Sequence, residues 1–328
     1  MRYLLYRILL LLLTAWVALT VNFALPYLMP GDPASVMVAK FQGRLEPQAI
    51  KALSIAFGVG VNESIFQQYL HYWGRILRGD FGTSLAYYPT PVSRVLGQAI
   101  PWTLGLCGTA TILAFIFGSG LGIVSAWRRG SRLGDGLVPL ALFLKSMPQF
   151  WFGLLTLYVF GFILGWFPLS GGYAITSAPG AARVLSILYH SFLPGMTMLI
   201  TALGGWVMTM RNNMISILAE DYITFAHAKG LSTRQIIYHY AARNAILPSF
   251  TGFAMALGFV VSGAILIERV FSYPGVGYML YQAVISLDYP LMQASFLFIT
   301  LAVLLANFFA DLTYVFLDPR VRSERAGS

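Results

Sequence analysis

Residues Arg211–Pro248 read RNNMISILAEDYITFAHAKGLSTRQIIYHYAARNAILP, a polar island between two long hydrophobic runs. In a chain that is 58% hydrophobic and 10% charged, an amphipathic stretch of this length needs a reason. Its pattern is helix, break, helix. Ile217–Lys229 is expected to form one short helix, with Gly230 in the left-handed position just past its end. Ser232 then opens a second helix, and Gln235, three residues on, completes a capping-box pattern. Two small helices between membrane spans predict a docking element.

The flanking sequence sets the class. With 328 residues, 32 glycines, 24 phenylalanines and 18 tyrosines and a mean hydropathy of +0.72, the chain is too apolar to hide its hydrophobic surface in a water-soluble core. The surplus must face lipid. The net charge of +9 comes from basic residues beside apolar runs rather than along one face. That is the pattern of Arg/Lys-rich cytoplasmic loops, and no nucleic-acid partner is expected. The single cysteine, Cys107, lies in an apolar run; it excludes an internal disulfide and reads as a small buried hydrophobe.

A bilayer core about 30 Å thick calls for roughly 20 apolar helical residues per crossing. Six stretches qualify: Ile8–Leu28, Trp102–Trp127, Leu137–Leu164, Leu193–Met210, Phe250–Ile267 and Leu291–Leu317. Arg2 and Arg7 before the first imitate a signal peptide. Its core is long, however, and Leu28-Met29-Pro30 follows in place of a small-x-small cleavage site, so a retained helix is expected. Basic groups at Arg2/Arg7, Arg128/Arg129/Arg132, Arg211/Lys229/Arg234/Arg243 and Arg320/Arg322/Arg325 fall in alternate loops. The positive-inside rule places all of them, and both termini, in the cytoplasm.

The expected fold is therefore an all-α polytopic membrane protein with six transmembrane helices. Residues 1–29 carry the first helix and 30–100 an external segment too long for a plain connection. Residues 101–318 form a five-helix core containing the loop 211–248, and 319–328 a cytoplasmic tail.

Chemistry is scarce. No G-x-x-x-x-G-K-[ST], H-E-x-x-H, C-x-x-C or G-x-S-x-G occurs, so the chain carries no ATPase motif of its own and no catalytic residue stands out. Gly79-Asp80-Phe81-Gly82-Thr83-Ser84 reads as a turn, lacking the lysine and following helix of a phosphate loop. His71, His190, His227 and His239 are dispersed, and none has a partner at metal-ligand spacing. Polar residues inside apolar spans are costly and mark candidate pathway positions. Ser146, Gln149 and Trp151 follow Lys145 around Pro148, and Asn307 lies one turn from Asp311. A translocation path and plain bundle packing, with Lys145 snorkelling to the boundary, both fit these stretches.

The island resembles the cytoplasmic loop of ATP-binding-cassette importer permeases, in the form used by the dipeptide/oligopeptide/nickel family. The matching residues are Asp221-Tyr222, Ala226-His227-Ala228-Lys229-Gly230-Leu231-Ser232 and Arg243-Asn244-Ala245-Ile246-Leu247-Pro248. Further stretches look like that family in the same order. They are Pro30-Gly31-Asp32-Pro33, Gly79–Ser84, Pro101-Trp102-Thr103-Leu104, Pro148-Gln149-Phe150-Trp151, Phe271–Gly277, Asp288-Tyr289-Pro290 and Leu317-Asp318-Pro319-Arg320. Two departures from the general importer loop stand out. Thr224-Phe225-Ala226 replaces its Glu-Ala-Ala, and the Gly230-to-Pro248 spacing is longer, a form the peptide-type permeases share.

The resemblance implies the type I importer permease fold and alternating access. It implies a second homologous permease, two cytoplasmic ATPase subunits and an extracytoplasmic substrate-binding protein as partners. It also implies ATP and magnesium on the ATPases, with no cofactor on this chain. Asp221, Ala226, Ala228, Lys229, Gly230, Leu231, Ser232, Arg243, Asn244 and Pro248 would couple to the ATPase. Localisation would be the inner membrane of a prokaryote. Peptides are the expected cargo, with oligosaccharides, glycosides or nickel chelates as alternatives; Tyr88-Pro89-Thr90-Pro91-Val92 resembles a stretch associated with sugar uptake. A stand-alone secondary transporter would instead show an internal repeat and buried coupling carboxylates. A membrane scaffold would use the docking loop without transport.

Overall fold

The computed structural model describes residues 2–28, 64–260 and 265–317. Pro30-Gly31-Asp32-Pro33, the first half of the expected external segment, and the tail 319–328 lie outside the described residues. Among the described residues the architecture is helical, with one isolated bridge between Thr83 and Pro91. The helices are α1 (Arg2–Leu28), α2 (Ile65–Leu77), α3 (Val92–Trp127), α4 (Arg132–Ser146), α5 (Gln149–Ile163), α6 (Ala181–Leu218) and α7 (Asp221–Ala228). There follow a continuous run over 233–259 ending in α8 (Arg243–Phe259), then α9 (Ile265–Val270), α10 (Val276–Ile285) and α11 (Tyr289–Leu317).

Among the described residues four helices are long and apolar enough to cross a membrane: Tyr6–Leu25 within α1, α3, α6, and Tyr289–Phe308 within α11. The third expected span, Leu137–Leu164, is not one straight helix. It is divided into α4 and α5, which bend by 93° at Met147-Pro148. The cause is local. Met147 and Pro148 both take extended backbone, as proline imposes on the residue before it, and Pro148 then caps α5. Lys145 sits in the last, exposed turn of α4, where a cation suits the helix dipole. Of the fifth expected span, Phe250–Ile267, only the parts in α8 and α9 lie within the described residues. The fourth, expected over Leu193–Met210, belongs to a helix of 38 residues.

The chain divides into two compact units, Met1–Trp102 with Pro274–Leu304 and Thr103–Tyr273 with Leu305–Ser328. In the larger unit, α6 is the central helix, and glycines set its neighbours. A methyl group at Gly122 of α3 would lie 2.7 Å from the Val207 carbonyl oxygen and 2.8 Å from Met210 Cβ. One at Gly204 of α6 would lie 2.8 Å from the Lys145 backbone nitrogen. Small residues thus allow backbones to meet where side chains have no room, the usual means of helix association in lipid. Phe115, Trp206 and Phe253 fill the space beside this crossing, with Phe115 stacked on Phe253 at 4.3 Å.

In the smaller unit, two sequence motifs 204 residues apart meet. The buried Asp288 carboxylate accepts a short hydrogen bond from the Ser84 hydroxyl, one from Ala86 N–H at 2.9 Å and one from Leu291 N–H at 3.1 Å. The last of these caps α11. Val92, Val95, Leu96, Ala283, Leu291 and Met292 pack around this knot. Asp288→Ala would remove the acceptor that Ser84, Ala86 and Leu291 share. The expected cost is on the order of 3 kcal/mol or more, read as a lower unfolding midpoint of the purified protein in detergent.

Candidate functional site

The island forms a folded corner whose inner face is apolar. Its first helix differs from the expected Ile217–Lys229. The span α6 itself continues to Leu218, the chain turns at Ala219-Glu220, and α7 begins at Asp221. The signal for that break is the Glu220-Asp221 pair, whose acidic groups suit the start of a helix better than its middle. α7 then ends as the glycine demands. Gly230 adopts φ +72°, its N–H reaches the His227 carbonyl at 2.9 Å, and Leu231 N–H reaches the Ala226 carbonyl at 3.3 Å. These two bonds make a Schellman motif, with Leu231 folding back onto the core. Ser232 caps the following helix through a reciprocal capping box with Gln235. The backbone is π-wound over Ile236–Ala242 before α8 continues to Phe259.

One face of α7 is anchored and the other is open. Ile223 and Ala226 are buried with Ala126 of α3, Met210 and Met214 of α6, and Ile236, Ala241 and Ala245. Ala226, expected at the contact surface, is 2% exposed and faces its own chain. Opposite them, Asp221, Phe225 and Ala228 recur at i, i+4 and i+7 and are exposed. Lys229 holds its ammonium 4.7 Å over the Phe225 ring, and Phe225 is 61% exposed. Beside this face, Ser232, Arg234, Gln235, Tyr238 and His239 line an open concavity of about 360 Å³.

Polar bonds tie the corner to the spans. Asn244 Nδ2 donates to the Tyr222 hydroxyl at 3.0 Å and to the Tyr240 carbonyl at 2.9 Å, so it pins α7 to α8. Asn213 Nδ2 of α6 donates to the Ala245 carbonyl at 3.2 Å and to Ser249 Oγ at 3.0 Å. Arg243 and Pro248 are exposed. Pro248, the last residue of the polar island, lies inside α8 rather than at a helix boundary.

Phe225, Tyr222 and Asn213 are not among the site residues expected from the sequence. An aromatic residue on a polar loop was the available signal for the first. The other two depend on pairings between helices that spacing along the chain does not reveal. The two faces predict opposite behaviour. Ala226→Leu overfills the core and should cost about 1–3 kcal/mol, seen as a lower unfolding midpoint. Ala228→Leu should leave that midpoint within about 0.5 kcal/mol of the parent.

The pathway candidates cluster in part. Ser146 and Trp151 are exposed at the α4–α5 bend, with the Ser146 hydroxyl donating to the Phe143 carbonyl at 2.8 Å. Gln149 Nε2 reaches Thr201 Oγ1 of α6 at 3.3 Å, one turn from the Thr156–Thr197 pair at 3.1 Å. Asn307 is half-buried on α11, and among the described residues no hydrogen bond joins it to Ser146, Gln149 or Trp151.

Comparison with known proteins agrees with this architecture. The family model for the binding-protein-dependent transport system inner membrane component matches residues 118–323, and the model for its N-terminal part matches residues 1–99. A di/tripeptide transport system permease protein of Pseudomonas aeruginosa is 34% identical, over 93% of this chain and 94% of its own length. An oligopeptide transport system permease protein of Bacillus subtilis is 30% identical, over 92% of each chain. A glutathione transport system permease protein of Salmonella typhimurium is 31% identical, over 98% of this chain and 99% of its own. The motifs spread along the chain are thus those of a multi-pass prokaryotic inner-membrane permease, and the chain belongs to the family of binding-protein-dependent transport system inner membrane components.

Proposed function

We propose that this permease forms half of the pathway through which a prokaryotic ATP-binding-cassette importer takes up peptides. The observation that carries the reading is the corner at 211–248, a rigid helix pair with one face built into the ends of α3 and α6 and the other exposed. Such an element transmits a push. Asp221, Ala228, Lys229 and Arg243 supply charged or small groups on the outside, while Ala226, Gly230, Leu231, Ser232, Asn244 and Pro248 shape and hold the corner. Two cytoplasmic ATPase subunits would bind ATP and magnesium and deliver that push, and this chain would bind neither. A second homologous permease would complete the pathway, and an extracytoplasmic binding protein would present the cargo. Both termini would lie in the cytoplasm, with six crossings in all. Ser146, Gln149 and Trp151 are proposed to line the path beside the α4–α5 bend.

Peptide cargo rests on the relatives whose names specify di- and tripeptides, oligopeptides and glutathione. The test is to reconstitute the complex in liposomes with its binding protein and to measure ATP-dependent uptake. Labelled di- to pentapeptides should accumulate. Accumulation of an oligosaccharide or a nickel chelate with no peptide uptake would overturn the peptide assignment and leave the permease assignment standing.

A further inference from the structure

Helix α2 is amphipathic, and its apolar side is only half used. Tyr69, Tyr72, Trp73 and Ile76 are partly covered, whereas Phe66, Leu70 and Leu77 on the adjoining strip are 67%, 52% and 79% exposed. The opposite face carries Gln67, Gln68, His71, Arg75 and Arg78. Three apolar side chains left open on one strip of a thirteen-residue helix require a cover.

What covers them follows from where α2 is fastened. Leu9, Leu13, Trp16, Thr20 and Phe23 of α1 are spaced by four, three, four and three residues and so form one stripe. Its lower members, Leu9, Leu13 and Trp16, are 61%, 52% and 51% exposed on a helix that crosses the bilayer. An apolar stripe exposed on a helix of that length and composition suits a lipid environment. Its upper members carry α2. Thr20 Oγ1 pairs with the Tyr69 hydroxyl at 2.9 Å, and Phe23 lies edge-on to Tyr69 at 5.3 Å and against Tyr72 at 5.4 Å. From the buried side of α1, Asn22 Nδ2 donates to the Tyr72 hydroxyl at 3.1 Å and to the Gln293 carbonyl at 2.7 Å. Burial raises the Tyr72 phenol to about 12, against the pull of the Asn22 bond. The Tyr72–Asn22 contact is therefore a neutral one.

The helix thus crosses the apolar stripe of α1 within the last turns of its span, which ends at Leu25. We propose that α2 is an interfacial anchor. Phe66, Leu70 and Leu77 enter the acyl chains of the leaflet beside the end of α1 remote from the N-terminus, and His71, Arg75 and Arg78 lie among the phosphates. The partner is a lipid surface, as for other helices with one strongly polar and one apolar face. Arg75 is also held to Asp80 at 3.5 Å, which ties the helix end to the turn that carries Gly82 and Ser84. By fixing both α1 and that turn, the anchor sets the depth at which the external segment stands on the membrane.

Spin labels on the assembled complex in phosphatidylethanolamine–phosphatidylglycerol vesicles test this. Cys107 is the sole cysteine of this chain, so Cys107→Ser, assembled with partner subunits freed of cysteine, gives the background for Phe66→Cys, Leu70→Cys and Leu77→Cys, with Gln67→Cys and His71→Cys as the opposite face. All five positions are exposed, so the labels leave the packed residues untouched. Labels at 66, 70 and 77 should collide several-fold more with oxygen than with a soluble nickel chelate, and those at 67 and 71 the reverse. Equal nickel access on both faces would show the strip in water and overturn the proposal. Exclusion of both reagents from 66, 70 and 77 would overturn it too, because the cover would then be protein.

Discussion

Replacing Gly122 by valine is expected to remove most of the full-length permease from the membrane. The α3–α6 crossing is made by backbone approaching backbone, and the Gly122 methyl position is already occupied at 2.7 Å by the Val207 carbonyl oxygen and at 2.8 Å by Met210 Cβ. Neither atom is the free end of a flexible side chain. Relief requires α6 to move away, which would also withdraw Met210 and Met214 from the cluster that holds Ile223 and Ala226. Overpacking ordinarily costs about 1–3 kcal/mol, and a backbone clash at a central crossing belongs at or above the top of that range. Gly204→Val should do the same on the other side of α6, where the Lys145 backbone nitrogen stands 2.8 Å away. Gly120→Val is the control, since a methyl there meets nothing within 4 Å. The measurement is the amount of full-length protein in isolated membranes, together with its unfolding midpoint in detergent. A Gly122→Val protein as abundant and as stable as Gly120→Val would refute the role given to the crossing.

The second large effect is functional and leaves the fold intact. Gly230→Asp is expected to lower substrate-stimulated ATP hydrolysis by the assembled complex about tenfold or more, equivalent to ~1.4 kcal/mol of lost coupling. The residue is exposed, with nothing within 4 Å of the added methyl position. Aspartate also tolerates the left-handed backbone better than most residues. Insertion should therefore remain close to the parent, with unfolding stability lowered by no more than about 1 kcal/mol. What changes is the outer face, where a negative charge appears next to Lys229 and at the C-terminal end of α7, the end that disfavours anions. Gly230→Val separates the two causes. It adds no charge but forces a β-branched residue into φ +72°, so it should lower the unfolding free energy by about 1–2 kcal/mol. Undiminished stimulation in Gly230→Asp would mean that the face does not meet the ATPase.

Much of this was legible in the sequence, and the limits are physical. Gly230, Ser232 and Gln235 announced their backbone roles because turn and cap geometry depends on residue type alone. The hydrophobic runs announced membrane helices for the same reason. Helix boundaries were less legible. α6 continues through the polar Arg211–Asn213 to Leu218, with Met210 and Met214 packed in the cluster of the corner, so hydropathy does not mark its end. Pro148 marks an interruption of the third apolar run in the sequence, but the 93° size of the bend is not encoded by the presence of a proline alone. Ala226 and Ala228 look equivalent in the sequence, yet two positions of helical phase put one in the core and one outside. The meeting of Ser84 with Asp288 could not be read at all, since a separation of 204 residues carries no local signal.

The central claim is that the outer face of α7 touches the ATPase and moves with its cycle. It is tested most directly by Ala228→Cys in the Cys107→Ser background, carrying a maleimide–benzophenone that is photolysed in the intact importer, because the excited ketone inserts into a neighbouring C–H bond and needs no cysteine on the ATPase. The account predicts a covalent adduct between this permease and an ATPase subunit, with a yield that differs between the nucleotide-free and ATP-bound complexes. Absence of any ATPase adduct at 228, in a complex that still couples substrate to ATP hydrolysis, would contradict it.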